Sequence, residues 1–290
     1  MSVDQSIVND NPFYVEGDRP ATPAETASMV LNDGPVLRTT YTVYDREFPD
    51  GQREICITRS TLIRQTSPLA MPGRAKRGES TKREANDDDS AKRAKQAVRL
   101  RCKAIGADRM ITLNYRENMI DMEKLKKDWK AFCRRMGKCK AFQYVATFER
   151  QERGAWHIHV AVHGRQSYQL VRSIWQSVIG KAPDGRSGGA ANVRDPHKFG
   201  FGRKGQHKLA SYIAKYIIKN SEYHDLDKKR YWTSRGIVVP EKKYWSLPYG
   251  VDFPQACAHG LEMALGHRAD GVTFFANQGL GVFWAATTAS

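Results

Sequence analysis

His157 and His159 stand one residue apart in Trp156-His157-Ile158-His159-Val160-Ala161-Val162. In an extended strand that alternation sets both imidazoles on one face and buries Ile158 and Val160 on the other. Two imidazoles side by side can hold a divalent metal. Farther on, Tyr212-Ile213-Ala214-Lys215-Tyr216 has helical spacing, which stacks Tyr212 above Tyr216 at i and i+4. Two stacked phenols can act as nucleophiles. Neither pair is specific by itself, because alternate histidines arise by chance and aromatic residues at i,i+4 usually pack.

Glu149 raises the weight of the first pair. A tight hairpin turning near Gly154 puts position 149 on the strand facing His157 and His159. One carboxylate and two imidazoles then converge with coordination positions left open, a donor set that suits Mg²⁺ or Mn²⁺ engaged with a phosphate. Glu152 falls in the turn and is expected to face solvent, and His163 lies at the rim. The second pair gains from its lysines. Leu209, Ile213 and Ile217 supply the apolar stripe of a helix over 206–219, leaving the tyrosine side with Lys215 and Lys219. A phenol has a pKa near 10, so roughly one in a thousand is ionised at neutral pH. An ammonium beside it favours the phenolate and can also hold a phosphate.

The elements that must position these groups are legible on either side. Met110-Ile-Thr-Leu113 reads as a buried strand, and Met122 to Met136 as a helix with Met122, Leu125, Trp129 and Phe132 on one face. Phe142 to Phe148 is a second strand, and Gly154 turns the chain into the histidine strand. Leu170 to Ile179 returns to helical period, and the Gly- and charge-rich stretch from Pro183 to Gly205 reads as a loop near a ligand. Ahead of this block, Asp87 to Ser90 is expected to cap a basic helix over 91–101. The order predicts an α+β fold, a central antiparallel sheet with a hairpin at its middle, flanked by helices. Residues 1–80 read as a poorly ordered extension with one hairpin, Leu37–Tyr44 and Glu54–Thr58 around Pro49-Asp50-Gly51. Residues 81–245 form the working domain, and 246–290 an extension without assigned role.

The whole chain narrows the partner. Its 290 residues carry 47 Lys and Arg against 31 Asp and Glu, a formal charge of +16. Such a surplus favours polyanions, nucleic acid before membrane, because phosphate contacts release condensed counterions. Five cysteines without close pairing indicate neither a disulfide framework nor a zinc finger and fit a reduced cytoplasmic setting. No stretch approaches the roughly 18 apolar residues of a membrane span, and none reads as a signal peptide. No Gly-x4-Gly-Lys-Ser/Thr segment occurs, so an internal nucleotide-driven helicase is not expected.

Glu149, then Arg153-Gly-Ala-Trp-His157-Ile-His159, then Tyr212-x-x-x-Tyr216, together with Ile111-Thr112-Leu113 as an opening strand, resemble the HUH-type rolling-circle replication initiators of phages and plasmids. The likeness runs over roughly residues 90–240; Asn114 stands where relatives often carry threonine. It implies an RRM- or palm-like sheet domain and an enzyme that nicks and rejoins DNA through a 5′-phosphotyrosine. His157, His159 and Glu149 are then the ligands of Mg²⁺ or Mn²⁺, Tyr212 and Tyr216 the nucleophiles, and Lys215 and Lys219 the phosphate-positioning cations. The substrate implied is single-stranded or locally melted origin DNA in a bacterial host cell, with a separate helicase and a DNA polymerase as partners. Tyr231, Trp232 and Arg235 are candidates to line the approach of the unpaired strand. A single-strand transposase shares this order of motifs. A relaxase places its nucleophile ahead of the histidines, and a non-catalytic regulator would form no covalent adduct.

Overall fold

The computed structural model describes residues 14–15, 19–20, 37–63, 80–194, 209–215, 229–266 and 271–288. In chain order these give β1 (Tyr14–Val15), β2 (Arg19–Pro20), β3 (Leu37–Glu47), β4 (Arg53–Ile63), α1 (Arg83–Ala104), β5 (Arg109–Tyr115), α2 (Met122–Cys139), β6 (Tyr144–Arg150), β7 (Trp156–Val162), α3 (Tyr168–Ile179) and β8 (Gly189–Arg194). There follow α4 (residues 209–215), β9 (Trp232–Thr233), β10 (Lys243–Ser246), α5 (Phe253–Leu265), β11 (Val272–Asn277) and β12 (Val282–Thr287). The fold is α+β, and its chain divides into two compact units, each built on its own five-stranded sheet.

The larger unit, centred on residues 75–241, holds the sheet β8-β5-β7-β6-β9. Each neighbouring pair of strands in it runs antiparallel. Alternation along these strands sorts their side chains onto two faces. On one, Ile111, Leu113, Ile158, Val160 and Phe148 pack with Leu125, Trp129, Phe132 and Met136 of α2 and Val171 and Trp175 of α3. Aromatic edges lock this layer: Trp129 meets Tyr144 at 5.0 Å and Trp175 meets Tyr115 at 5.2 Å between ring centroids. Burying each such ring stabilises the fold by roughly 1.5–3 kcal/mol. Asp121 caps α2 by accepting from the backbone of Glu123 and Lys124, and Ser167 caps α3 by accepting from Leu170. On the opposite face Met110, Val145 and Ala161 lie under Val98 and Cys102 of α1 and Leu209, Ala210, Ile213 and Ala214 of α4.

Three local readings of the sequence are corrected. The basic helix starts near residue 83 rather than 91 and runs for 22 residues. Arg83-Glu-Ala-Asn86 is itself helix-compatible, so Asp87 to Ser90 lie inside the helix, where Asp87 pairs with Arg230 at 2.6 Å. The stretch read as a loop from Pro183 contains strand β8, which pairs along β5 from Arg194 to Gly189. Glycine obscures that strand in the sequence but is what lets it form, because a Cβ at Gly189 would run into the carbonyl oxygen of Asn114. Finally, the middle of the sheet is β7 alone, with β6 on one side and β5 on the other, rather than the β6–β7 hairpin.

The smaller unit orders its sheet β10-β3-β4-β12-β11. β3 and β4 are the expected hairpin, and β11 and β12 come from the C-terminal tail. Strands that the sequence places in separate extensions therefore share one sheet. Tyr41, Val43, Ile55, Ile57, Phe283 and Ala285 pack under Phe253, Ala256 and Ala264 of α5. A reciprocal capping box between Asp252 and Gln255 starts that helix. Among the described residues no helix is long and apolar enough to cross a membrane.

Candidate active site

Register builds the site row by row across β5, β7 and β6. Met110, Ala161 and Val145 form an apolar row on the face covered by α1 and α4. The next row on that face is Thr112, His159 and Thr147, and the one beyond is Asn114, His157 and Glu149. The face therefore changes from apolar to polar along the strands, and the histidines begin where the helical cover's apolar contacts end. The turn that brings Glu149 opposite His157 closes on Gly154, whose φ of 86° a residue with a side chain rarely adopts.

Within these rows His159 is buried and its Nε2 lies 2.7 Å from Oε2 of Glu149. A carboxylate accepts, so Nε2–H donates to it, and the Nδ1 lone pair is left for the hydroxyl of Thr112 at 3.3 Å. His157 is held from outside the sheet. Its Nδ1 is 3.1 Å from Nε2 of Gln151, whose amide oxygen accepts from Nε of Arg153 at 3.2 Å. The guanidinium fixes the amide, so Gln151 donates to Nδ1 and neutral His157 carries its proton on Nε2. Burial foremost, then the neighbouring His159 and Arg153, holds the His157 pKa below its ordinary value, while Glu149 pulls the other way. His157 is thus neutral at pH 7, the form in which imidazole ligates a metal.

The donors are not gathered into a cage. Among the described residues no three His, Cys, Asp or Glu side chains cluster closely enough to hold a cation, and the two imidazole centroids are 6.4 Å apart. The polar rows nevertheless contain unmet demand. Nε2 of His157, Oδ1 of Asn114 and Oγ1 of Thr147 are buried with no hydrogen-bond partner among the described residues. Buried polar atoms without partners are uncommon, and three in adjacent rows of one face mark a place that takes a polar ligand. Two imidazoles, a carboxylate and an amide oxygen fit Mg²⁺ or Mn²⁺ in chemistry.

The other predicted residues are distributed as follows. Tyr212 is half-buried on α4 against the apolar cluster, and Lys215 is exposed on the same helix. Tyr216 and Lys219 lie outside the described residues. Tyr231 packs beside that same cluster, with the Arg101 guanidinium 5.6 Å from its ring centroid. Trp232 stacks on Phe148 at 3.6 Å, which engages one face of its indole, and Lys229 stands 5.9 Å from its ring. Arg235 is exposed. Glu152 is exposed in the hairpin turn, and His163 sits at the rim, bonding the Gly106 carbonyl at 2.8 Å. Sequence reasoning missed Thr112, Asn114, Thr147 and Gln151 as members of the site. The first three had a signal: polar residues alternating with apolar ones along Met110–Tyr115 and Tyr144–Arg150 point to the face that His157 and His159 share. Gln151 had none, since it reaches His157 from the hairpin turn.

No curated protein and no solved structure matches this chain. Residues 108–221 match the family model described as Replication-associated protein ORF2. The match covers fewer than half of the 290 residues and runs from the start of β5 through α4. The segment holding the histidine rows and Tyr212 is therefore similar to a replication-associated protein.

Proposed function

We propose that this chain initiates rolling-circle DNA replication by nicking and rejoining single-stranded origin DNA through a 5′-phosphotyrosine. The observation that carries the reading is the placement, on one sheet face, of the His159–Glu149 and His157 rows beside the apolar row that Tyr212's helix covers. The family match supports replication over transposition. His157, His159 and Glu149 would hold Mg²⁺ or Mn²⁺, which when bound neutralises charge on the scissile phosphate. To ligate through Nε2, His159 shifts its proton to Nδ1, where the Thr112 hydroxyl accepts it. His157 does the same, with the Gln151 amide turning to accept.

Tyr212 then attacks phosphorus. The bond from its Oη to phosphorus forms, the bond from phosphorus to the 3′ oxygen breaks, and that oxygen leaves with the electron pair and is protonated. Lys215, and Lys219 by its spacing, favour the phenolate and steady the phosphate. The tyrosyl ester conserves the bond, so the 3′-hydroxyl can reverse the step without ATP. Tyr216 gives the chain a second nucleophile for cutting the regenerated origin while the first holds the old 5′ end. Origin DNA opened by a separate helicase, and a polymerase extending the 3′-hydroxyl, complete the cycle.

The test is covalent capture of single-stranded origin DNA by the full chain carrying Tyr212→Phe, Tyr216→Phe or both, with Mn²⁺ and with chelator. The adduct should survive at least one single substitution, vanish in the double variant, and require metal. An adduct from the double variant would end the tyrosine assignment, and one formed in chelator would end the metal's role.

A further inference from the structure

The two ends of the smaller unit's sheet are finished differently. β10 ends one side with four residues, and Glu241, Lys242 and Lys243 stand at its start. Charged residues at a terminal strand discourage another strand from pairing there. β11 ends the other side with six residues, Val-Thr-Phe-Phe-Ala-Asn, and no charged residue occurs from 271 to the end of the chain. Phe274 and Phe275 point to opposite faces of the sheet, yet they are 59% and 54% exposed, and Leu280 in the following turn is 69% exposed. Neither face of β11 is covered, and its outer backbone edge has no partner strand among those described. Such an edge is a template for strand addition.

Charge selects the occupant. The chain's 47 Lys and Arg divide eight to this unit and 39 to the other, while its 31 Asp and Glu divide 11 and 20. The unit carrying β11 is thus slightly acidic, which disfavours a nucleic-acid strand on its exposed aromatic residues. Two copies of a chain of net charge +16 repel through the basic unit and meet least resistance here. Antiparallel pairing of β11 with itself across a two-fold axis perpendicular to the sheet centres on a residue. An axis at either phenylalanine sets that ring beside its own copy, a favourable cross-strand pair, with no like charges opposed.

We propose that β11 is a self-association edge through which two copies of this chain join their smaller-unit sheets into one continuous sheet. The inference is independent of the nicking chemistry. Sedimentation velocity of the full chain over a concentration series should show a monomer–dimer equilibrium. Phe275→Lys and Phe274→Lys, each of which opposes lysines or breaks the aromatic contact, should weaken the dimer about tenfold or more. Amide exchange gives a reading free of any folding defect: in the unsubstituted chain, protection of residues 272–277 should rise with protein concentration. A chain that stays monomeric, a dimer indifferent to both lysines, or β11 protection independent of concentration would overturn the proposal. So would loss of single-stranded DNA binding in Phe275→Lys with the dimer intact, since that reassigns the edge to nucleic acid.

Discussion

At the scale of single residues, the two histidines are not equivalent. His159 is tied inside the sheet between Glu149 and Thr112, whereas His157 depends on Gln151, a turn residue anchored in its place by Arg153. A metal-binding imidazole needs an acceptor on its other nitrogen, and removing that acceptor typically costs 10–100-fold in affinity. Gln151→Leu should therefore weaken Mn²⁺ binding by about that factor, with the fold intact because the residue sits in a turn. Gln151→Glu should match or exceed the parent, since a carboxylate accepts the Nδ1 proton better than an amide does. Titration of Mn²⁺ by its free-ion magnetic resonance signal reads both without any DNA. Equal affinities in all three proteins would remove Gln151 from the site. His157→Ala should lose more than Gln151→Leu, because it deletes the donor itself.

At the scale of elements, the core helices and the histidine strand were legible because their periods are strong. Leu125, Trp129 and Phe132 repeat at helical spacing, and His157-Ile158-His159-Val160 alternates cleanly. The strand β8 was not legible, because Gly189 and its small neighbours carry no periodic signal and their reason is steric, visible only against Asn114. The smaller sheet was unreadable for another cause: its strands come from both ends of the chain, and pairing between β4 and β12 leaves no local trace. Two glycine substitutions separate the steric from the conformational role of the residue. Gly189→Ala pushes a methyl into a backbone carbonyl that is itself held in the sheet, and should destabilise by roughly 1–3 kcal/mol. Gly137→Ala lies inside α2, where a Cβ meets nothing within 4 Å, and should stabilise by roughly 0.5–1 kcal/mol. Urea unfolding of the two variants reads both, and a neutral Gly189→Ala would mean that β8 does not pack against β5 as described.

At the scale of the whole molecule, the charge surplus that first suggested a nucleic-acid partner belongs almost entirely to one unit. The unit containing the histidine rows, α1 and α4 holds 39 of the 47 basic residues, so phosphate contacts should be concentrated there. Salt dependence tests this directly, because the slope of log affinity against log salt falls by about 0.7 for each single-strand phosphate contact removed. Lys92 and Lys95 are exposed on α1, and Lys242 and Lys243 are exposed in the smaller unit. Lys92→Ala with Lys95→Ala should shallow the slope by roughly one to one and a half for single-stranded DNA. Lys242→Ala with Lys243→Ala removes the same formal charge and should leave the slope unchanged. Net charge alone would shift both variants equally, so the difference between them isolates contact from composition. Equal shallowing would show that the strand runs across both units, and the path assigned to it along α1 would have to be redrawn.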